Sequence, residues 1–167
     1  GGSNAIGLFH AFLGNADTQI IGVDAGGTGS ELGKNAATLV TGTPGILHGC
    51  LSLLLQDPDG QVRETESVSA GLDYAGVGPE HALLKTIGRV DYESATDADA
   101  LAALRECCQA EGILPAIESA HAFAGARRWA RQHPGARILV GLSGRGDKDM
   151  PTLSRLLREE EAGAQAA

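Results

Sequence analysis

Gly1-Gly2-Ser3-Asn4-Ala5 runs straight into Ile6, Leu8, Phe9, Phe12 and Leu13, the pattern of a tight turn opening onto a buried helix. Such a turn aims free backbone N–H groups at one spot, and the positive end of the helix favours a nearby negative charge by about 0.3–1 kcal/mol. Glycine lets an anion approach the backbone closely, and the Ser3 and Asn4 side chains add hydrogen bonds, so the natural guest is a phosphate. A flexible stretch before an ordinary helix accounts for the same five residues equally well. Two more residues stand where chemistry is done. Glu118 follows the short apolar run Ile113–Ile117 at the start of a helix, and Ser143 follows the apolar run Arg137–Leu142 in Ser143-Gly144-Arg145-Gly146-Asp147-Lys148-Asp149. Ligands of open α/β sheets sit beyond the carboxyl ends of strands, which is where both residues fall. Taken singly, Glu118 is explained as a helix-start carboxylate and Ser143 as a helix cap. Glu118-Ser119-Ala120-His121 has the Glu-x-x-His spacing of a metal pair, but no second pair accompanies it, so a partly buried, hydrogen-bonded His121 is expected.

The elements that must position these residues alternate. Thr18–Val23 is a short β-branched apolar run, expected to be a strand covered on both faces. The glycines at 26–33 come next, but their spacing is not G-x-G-x-x-G and residues 34–45 lack helical periodicity, so a long surface loop is expected there. Gly45–Gln56 is apolar, and Asp57-Pro58-Asp59-Gly60 is a turn that sends the chain back through Gln61–Arg63 as a hairpin or bent extended segment. Pro79 starts a short helix with Leu83, Leu84 and Ile87 on its apolar face, stopped by Gly88. Val90–Ala95 is a second strand candidate. Thr96-Asp97-Ala98-Asp99 is a capping box opening a helix that buries Leu101, Leu104 and Cys108 and ends at Gly112. A third long helix from Glu118 turns Ala122, Phe123, Ala126 and Trp129 inward and stops before Pro134. Arg137–Leu142 is expected to be another buried strand, and a last helix from Pro151 uses Leu153, Leu156 and Leu157. Strands alternating with helices imply α/β architecture with a largely parallel sheet flanked by helices. Residues 1–160 are expected to form one incomplete cofactor-binding domain, and 161–167 a disordered tail.

Bulk properties narrow the function classes. At 167 residues with a net charge of −8, the chain fits one soluble cytoplasmic domain and offers no basic footprint for nucleic acid or an anionic membrane. No apolar stretch approaches the roughly 18 residues of a membrane span. Cys50, Cys107 and Cys108 are odd in number and lack C-x-x-C spacing, so they read as apolar fillers, neither a disulfide framework nor a zinc site. The chain begins without Met and no strand precedes the opening turn, so it is expected to be part of a longer chain.

Gly1–Ala5, GILHG at 45–49, LLQDPDGQV at 54–62, SAGLDYAGVGPEHA at 69–82, EGILPAIESAHA at 111–122 and LSGRGDKD at 142–149 together resemble, in order, the carboxyl-terminal part of the tryptophan synthase β chain family. The resemblance implies a lyase of tryptophan biosynthesis that replaces the hydroxyl of L-serine with indole using pyridoxal 5'-phosphate. Gly1, Gly2, Ser3 and Asn4 match its phosphate loop, Ser143 the hydroxyl at the pyridine nitrogen and Glu118 an acid beside the cofactor ring. Asp73 resembles the catalytic loop acid on the substrate side. Tyr74 and Gly76 match positions whose backbone carbonyls hold a monovalent cation, Na+ or K+, while Leu47 and His48 fall on the indole tunnel wall. A tryptophan synthase α chain partner and a β–β homodimer are implied in the same way. A neutral hydroxyl at the pyridine nitrogen leaves the ring a weaker electron sink than a carboxylate would, which suits β-replacement over transamination.

The sequence departs from the family at Asp24, where Glu is usual, at Glu66, where His is common, and at Asn35, where His is frequent; altered loop contacts and an unchanged reaction are expected. The family's cofactor-binding lysine lies upstream of Gly1, and none of Lys34, Lys85 and Lys148 matches its motif, so residues 1–167 alone are expected to be inactive. Two other readings compete: a related pyridoxal-phosphate enzyme of β-replacement or β-elimination with a different nucleophile, and a non-catalytic ligand-binding or interaction module.

Overall fold

A computed structural model describes residues 1–165, with side chains described through residue 159. Its centre is a parallel pair of strands, β1 (Ile21–Ala25) and β4 (Asp91–Ala95), in register from Ile21 opposite Asp91 to Ala25 opposite Ala95. Between them in sequence come the short helix α2 (Thr38–Thr41), an antiparallel hairpin of β2 (Thr43–Leu47) and β3 (Cys50–Leu54), and helix α3 (Pro79–Thr86). The helices α4 (Asp97–Glu111) and α5 (Ile117–Gln132) come after β4, and α5 packs on both strands of the parallel pair.

Three apolar clusters hold these parts together. Helix α1 (Ser3–His10) buries Phe9 against Ile20, Leu84 and Val90, so the opening turn is anchored to β1, α3 and β4. Each such fully buried large side chain contributes about 1.5–3 kcal/mol. Ala95, Ala103 and Ala124 form a thin layer of small residues under α4 and α5. The third cluster joins α4, α5 and the final helix α6 (Met150–Gln165) through Ala100, Leu104, Ile117, Ala120 and Leu153. Arg89 adds a polar tie: its guanidinium donates to the carbonyls of Phe12, Leu13, Asn15 and Thr18 at 2.7–3.2 Å, fixing the connection from α1 to β1.

Several sequence expectations shift. The first strand begins at Ile21, three residues later than Thr18, because Asn15 to Thr18 close a turn. The apolar stretch 45–56 is a hairpin, but its reversal is at His48-Gly49, where both residues have positive φ (50° and 77°), the geometry favoured for two-residue hairpin loops. The Asp57–Gly60 turn closes only a single bridge between Gln56 and Val62. Helix α3 presents His81 and Leu84 inward, leaving Leu83 and Ile87 exposed. The buried face of α4 is Ala100, Ala103, Leu104 and Cys107, one position away from Leu101 and Cys108. On α5 the fully buried positions are Ile117, Ser119, Ala120, His121, Ala124 and Gly125, with Phe123 only partly covered. Arg137–Leu142 is not a strand: among the described residues no strand pairs with it, and Leu139 is 68% exposed. An apolar run becomes a strand only where a ladder accepts it. Helix α6 continues to Gln165, and residues 166 and 167 of the expected tail lie outside the described residues.

Candidate functional site

Gly2 caps α1 in the left-handed conformation (φ 82°, ψ 21°), with no side chain bonded to the helix end. The first intrahelical bond is Ile6 N–H to the Gly2 carbonyl at 3.0 Å, so the N–H groups of Ser3, Asn4 and Ala5 precede the helical ladder and point out of its positive end. Ser3 and Asn4 are exposed. His81 supports this turn from below. Its Nε2 lies 2.7 Å from the Gly2 carbonyl and its Nδ1 2.8 Å from the Tyr92 hydroxyl. A carbonyl only accepts, so Nε2 carries the proton and, in the neutral ring, Nδ1 accepts from Tyr92. Tyr92 is suited to donate, because burial, helped by the charges of Asp24 and Glu80, pushes its phenol far above the usual tyrosine value. A Cβ on Gly2 would stand 2.4 Å from His81 Nε2, so the close approach requires glycine.

Beside the turn are two cavities that share Gly1, Tyr74, Gly76 and Val77. The outer recess, about 190 Å³, is lined by Gly1, Leu47, His48, Cys50, Tyr74 and Gly76 among others. His48 and Tyr74 form its rim, with Nδ1 2.9 Å from the phenol oxygen and the rings stacked 6.1 Å apart. The inner cavity, about 110 Å³, adds Gly2, Asp24, Thr38, Leu72, His81 and Tyr92. Asp24 Oδ2 accepts Leu39 N–H at 2.7 Å. Burial raises its carboxyl from 3.8 to about 6, against the lowering by that N–H and by the Lys85 charge. Thr38 Oγ1 is buried and bonded to no protein group.

The second half of the candidate site forms where the segment after residue 142 meets the start of α5. Ala116, the residue before α5, offers no side-chain cap, and Asp149 supplies one by accepting Ile117 N–H at 3.0 Å. The Ala116 N–H to Gly144 carbonyl bond (2.9 Å) and the Gly146 N–H to Leu114 carbonyl bond (2.9 Å) lock the two segments side by side. Ser143 N–H donates to Ser119 Oγ at 3.0 Å, and the two hydroxyl oxygens are 2.8 Å apart. Glu118 is paired with Lys148 Nζ at 2.8 and 3.1 Å and accepts Gly71 N–H at 3.0 Å. Burial pushes the Glu118 carboxyl up, but Lys148, the backbone N–H groups of Glu118 and Gly71, and the Lys148 charge together hold it below the usual value. Desolvation works against the Lys148 ammonium too, yet Asp149 and Glu118 keep it above the ordinary lysine value.

Of the sequence-derived residues, Gly1, Leu47, His48, Tyr74 and Gly76 surround one recess, and Glu118 and Ser143 meet through Ser119. Gly71, in the 3-10 turn Ala70–Leu72, contacts Glu118, while Leu72 lines the inner cavity, so this turn joins the two halves. Asp73 is exposed and accepts from the Thr65 hydroxyl; it touches neither half directly. His121 is hydrogen-bonded as expected, Nδ1 reaching the Ile117 carbonyl at 2.9 Å, but it is wholly and not partly buried, and its Nε2 has no protein partner. Ser119, His81, Asp24 and Lys148 were not singled out as site residues by sequence reasoning. Lys148 and Ser119 had a signal, since each lies within the two distinctive segments that carry Ser143 and Glu118. Among the described residues no group of three His, Cys, Asp or Glu could hold a metal ion, the three cysteines are free, and no helix is long and apolar enough to cross a membrane.

No family model matches the chain. The tryptophan synthase beta chain of Albidiferax ferrireducens is 55% identical over 157 residues, 93% of this chain and 36% of that protein. The tryptophan synthase beta chains of Mycobacterium bovis and Mycobacterium tuberculosis are each 56% identical over 156 residues, 93% of this chain and 37% of theirs. The chain belongs to the tryptophan synthase beta chain family. It corresponds to the carboxyl-terminal portion of these proteins and spans little more than a third of the length of the curated relatives it matches. At 93% coverage, the similarity takes in nearly all of the segments that build the turn, the two cavities and the Glu118–Ser143 junction.

Proposed function

We propose that these residues form the carboxyl-terminal part of the cofactor-binding portion of a cytoplasmic lyase that makes L-tryptophan from L-serine and indole with pyridoxal 5'-phosphate. The identity of 55% over 157 residues to a tryptophan synthase beta chain carries this reading. The residues present fit the cofactor. The open N–H groups at Ser3, Asn4 and Ala5 and the left-handed Gly2 suit its phosphate, and the Ser143 hydroxyl, oriented by Ser119, suits its pyridine nitrogen. When bound, the cofactor supplies the electron sink that lets the amino acid lose its β-substituent.

Each side chain then has a defined task. Ser143 presents a neutral hydroxyl in place of a charged acid, which limits the electron withdrawal to what β-replacement needs. Glu118, ionised and held by Lys148 and Gly71 N–H, places a fixed negative charge beside the ring. Asp73 engages the substrate side from its exposed loop, and Thr65 holds it in readiness. Leu47 and His48 line the recess through which indole reaches the site, where an apolar wall excludes water from the attack. Tyr74 and Gly76 both line the inner cavity, and their backbone carbonyls would hold a monovalent cation, Na+ or K+. A tryptophan synthase α chain and a second β chain complete the assembly.

The test is tryptophan formation by the full-length chain containing these residues, given L-serine, indole and pyridoxal phosphate, with sulfide as a competing nucleophile. Preferential turnover of indole supports the reading. Turnover of sulfide with indole left unused points to the related β-replacement enzyme, and cofactor binding without turnover of either points to a ligand-binding module.

A further inference from the structure

The loop that leads to Asp73 is fastened at two points: Val68 N–H donates to Asp97 Oδ2 at 3.1 Å, at the first turn of α4, and Gly71 N–H donates to Glu118 at the first turn of α5. Val68 packs into the apolar cluster of Ala100, Ile117 and Ala120, which brings the loop and both helix starts to one junction. Three buried polar atoms on this loop and these two helices have no protein partner: Ser69 Oγ, Asp97 Oδ1 and His121 Nε2. Ser69 is 1% exposed and His121 0%. Leaving one such group unsatisfied costs about 1–3 kcal/mol, so each of the three calls for a partner.

Donor and acceptor roles point to one partner that would serve all three. The Ile117 carbonyl can only accept, so His121 Nδ1 carries the ring proton and Nε2 of the neutral ring is an acceptor. Burial keeps the ring neutral, holding His121 below its ordinary value against the opposing Ile117 carbonyl and the charges of Asp97 and Glu118. Asp97 Oδ1 is a second acceptor, and Ser69 Oγ supplies a hydroxyl. A water molecule has two protons to give and accepts readily, which matches two acceptors and one donor, and buried waters typically make about three hydrogen bonds. We propose that Ser69, Asp97 and His121 bind one buried water molecule and through it position the loop that carries Asp73. The water donates to His121 Nε2 and Asp97 Oδ1 and accepts from the Ser69 hydroxyl. Asp97 thus grips the loop twice, through Val68 N–H directly and through Ser69 by way of the water. The water site stands on these unpartnered atoms and on the two bonds that bring the loop to the helix starts, whereas its consequence for catalysis rests on the proposed tryptophan-forming function.

The experiment uses the full-length chain. Its crystal structure should show an ordered water within hydrogen-bonding distance of all three atoms. Ser69→Ala, which removes a single hydroxyl, should speed amide hydrogen exchange across residues 66–73 about tenfold while leaving exchange in α1 unchanged. His121→Leu should do the same, and His121→Gln, which restores an acceptor, should recover most of the protection. In turnover assays KM for L-serine should rise more than kcat falls in Ser69→Ala, because the displaced loop carries the substrate-side acid. A junction without water, or exchange across 66–73 unchanged in Ser69→Ala, overturns the proposal. An ordered water and faster exchange with kinetics unaltered in an enzyme that does make tryptophan overturns the positioning role. If the full-length chain makes no tryptophan while the water and the exchange effects are found, the site is supported and the functional reading fails.

Discussion

Gly2→Ala in the full-length chain tests the opening turn most directly. Gly2 has φ 82°, and holding an L-residue with a Cβ in the left-handed region costs about 1–2 kcal/mol. The added Cβ would stand 2.4 Å from Nε2 and 2.7 Å from Cδ2 of His81. The ring cannot swing aside freely, since Nδ1 and Nε2 are tied to Tyr92 and to Gly2 itself at 2.8 and 2.7 Å. Losing those two bonds costs a further 1–3 kcal/mol, at about 0.5–1.5 kcal/mol each. The sum is about 2–5 kcal/mol, either as lost stability in urea denaturation or, if the turn rearranges, as at least about tenfold weaker binding of pyridoxal phosphate in a fluorescence titration. Placing the substitution in a His81→Ala background separates the terms: there the clash is gone and about 1–2 kcal/mol of backbone cost should remain. Stability within about 0.5 kcal/mol of the parent together with cofactor affinity within about threefold would refute the assigned geometry of the turn.

Asp24→Asn should flatten the pH dependence of stability. With its carboxyl raised from 3.8 to about 6, native Asp24 binds more protons than the unfolded chain between those values, so the parent loses stability as pH rises through that window. At about 1.4 kcal/mol per pH unit the loss is about 3 kcal/mol. Asn retains an acceptor for Leu39 N–H, and urea midpoints measured from pH 4 to 7 should show the slope gone in the variant; an unchanged slope assigns it to other groups. Lys148→Met removes an ammonium that, with the backbone N–H groups of Glu118 and Gly71, outweighs burial at Glu118, so the Glu118 carboxyl should titrate higher in a carbon-detected NMR titration. A depressed carboxyl stabilises above its unfolded value and loses that contribution as pH falls through the folded value, so the variant should also lose its extra stability at a higher pH on acidification than the parent. Thr96→Ala breaks the capping box of Asp99 N–H to Thr96 Oγ1 (3.1 Å) and Thr96 N–H to Asp99 Oδ2 (3.3 Å) and should cost about 1 kcal/mol in urea denaturation; no measurable cost would mean that tertiary contacts alone set the start of α4.

What the sequence made legible were the features written in local chemistry. The Thr96–Asp99 box, Pro79 at the first position of α3 and Gly112 at the end of α4 depend only on near neighbours, and each lies where local rules put it. Arg137–Leu142 reads as a strand because apolar runs of that length usually are, but strand formation is a pairwise event and the run finds no partner among the described residues. The hairpin turn was misplaced because Asp57-Pro58-Asp59-Gly60 is the louder turn signal, while His48-Gly49 needs a non-glycine residue at positive φ. Helix faces were off by a residue where His81 joins Leu84 and alanines join Leu104 in the interior: Ala95, Ala103 and Ala124 meet where β4, α4 and α5 pack. At the site, Gly1–Asn4, Glu118 and Ser143 could be nominated from strand-end logic and resemblance. Their supports, His81 beneath Gly2 and Ser119 beneath Ser143, are long-range pairings that no spacing rule encodes.

The segment from Ser143 to Asp149 ties the site's formation to the folding of α5. Ala116 has no side chain to cap the helix, Ile117 N–H is taken by Asp149, and Glu118 lies in the same first turn, so two acids converge on the positive end of one helix dipole. Lys148 sits between the two acids, 2.6 Å from Asp149 and 2.8 Å from Glu118, and ties them together. The lysine side chain is about half exposed, so its worth lies less in pair energy than in holding both acids in place. Glu118 then holds Gly71, and Gly71 leads to Asp73 two residues later. Removing Asp149 or Lys148 would therefore fray the start of α5, release the loop before Asp73 and loosen Ser143 from Ser119 together, although neither residue need touch a substrate.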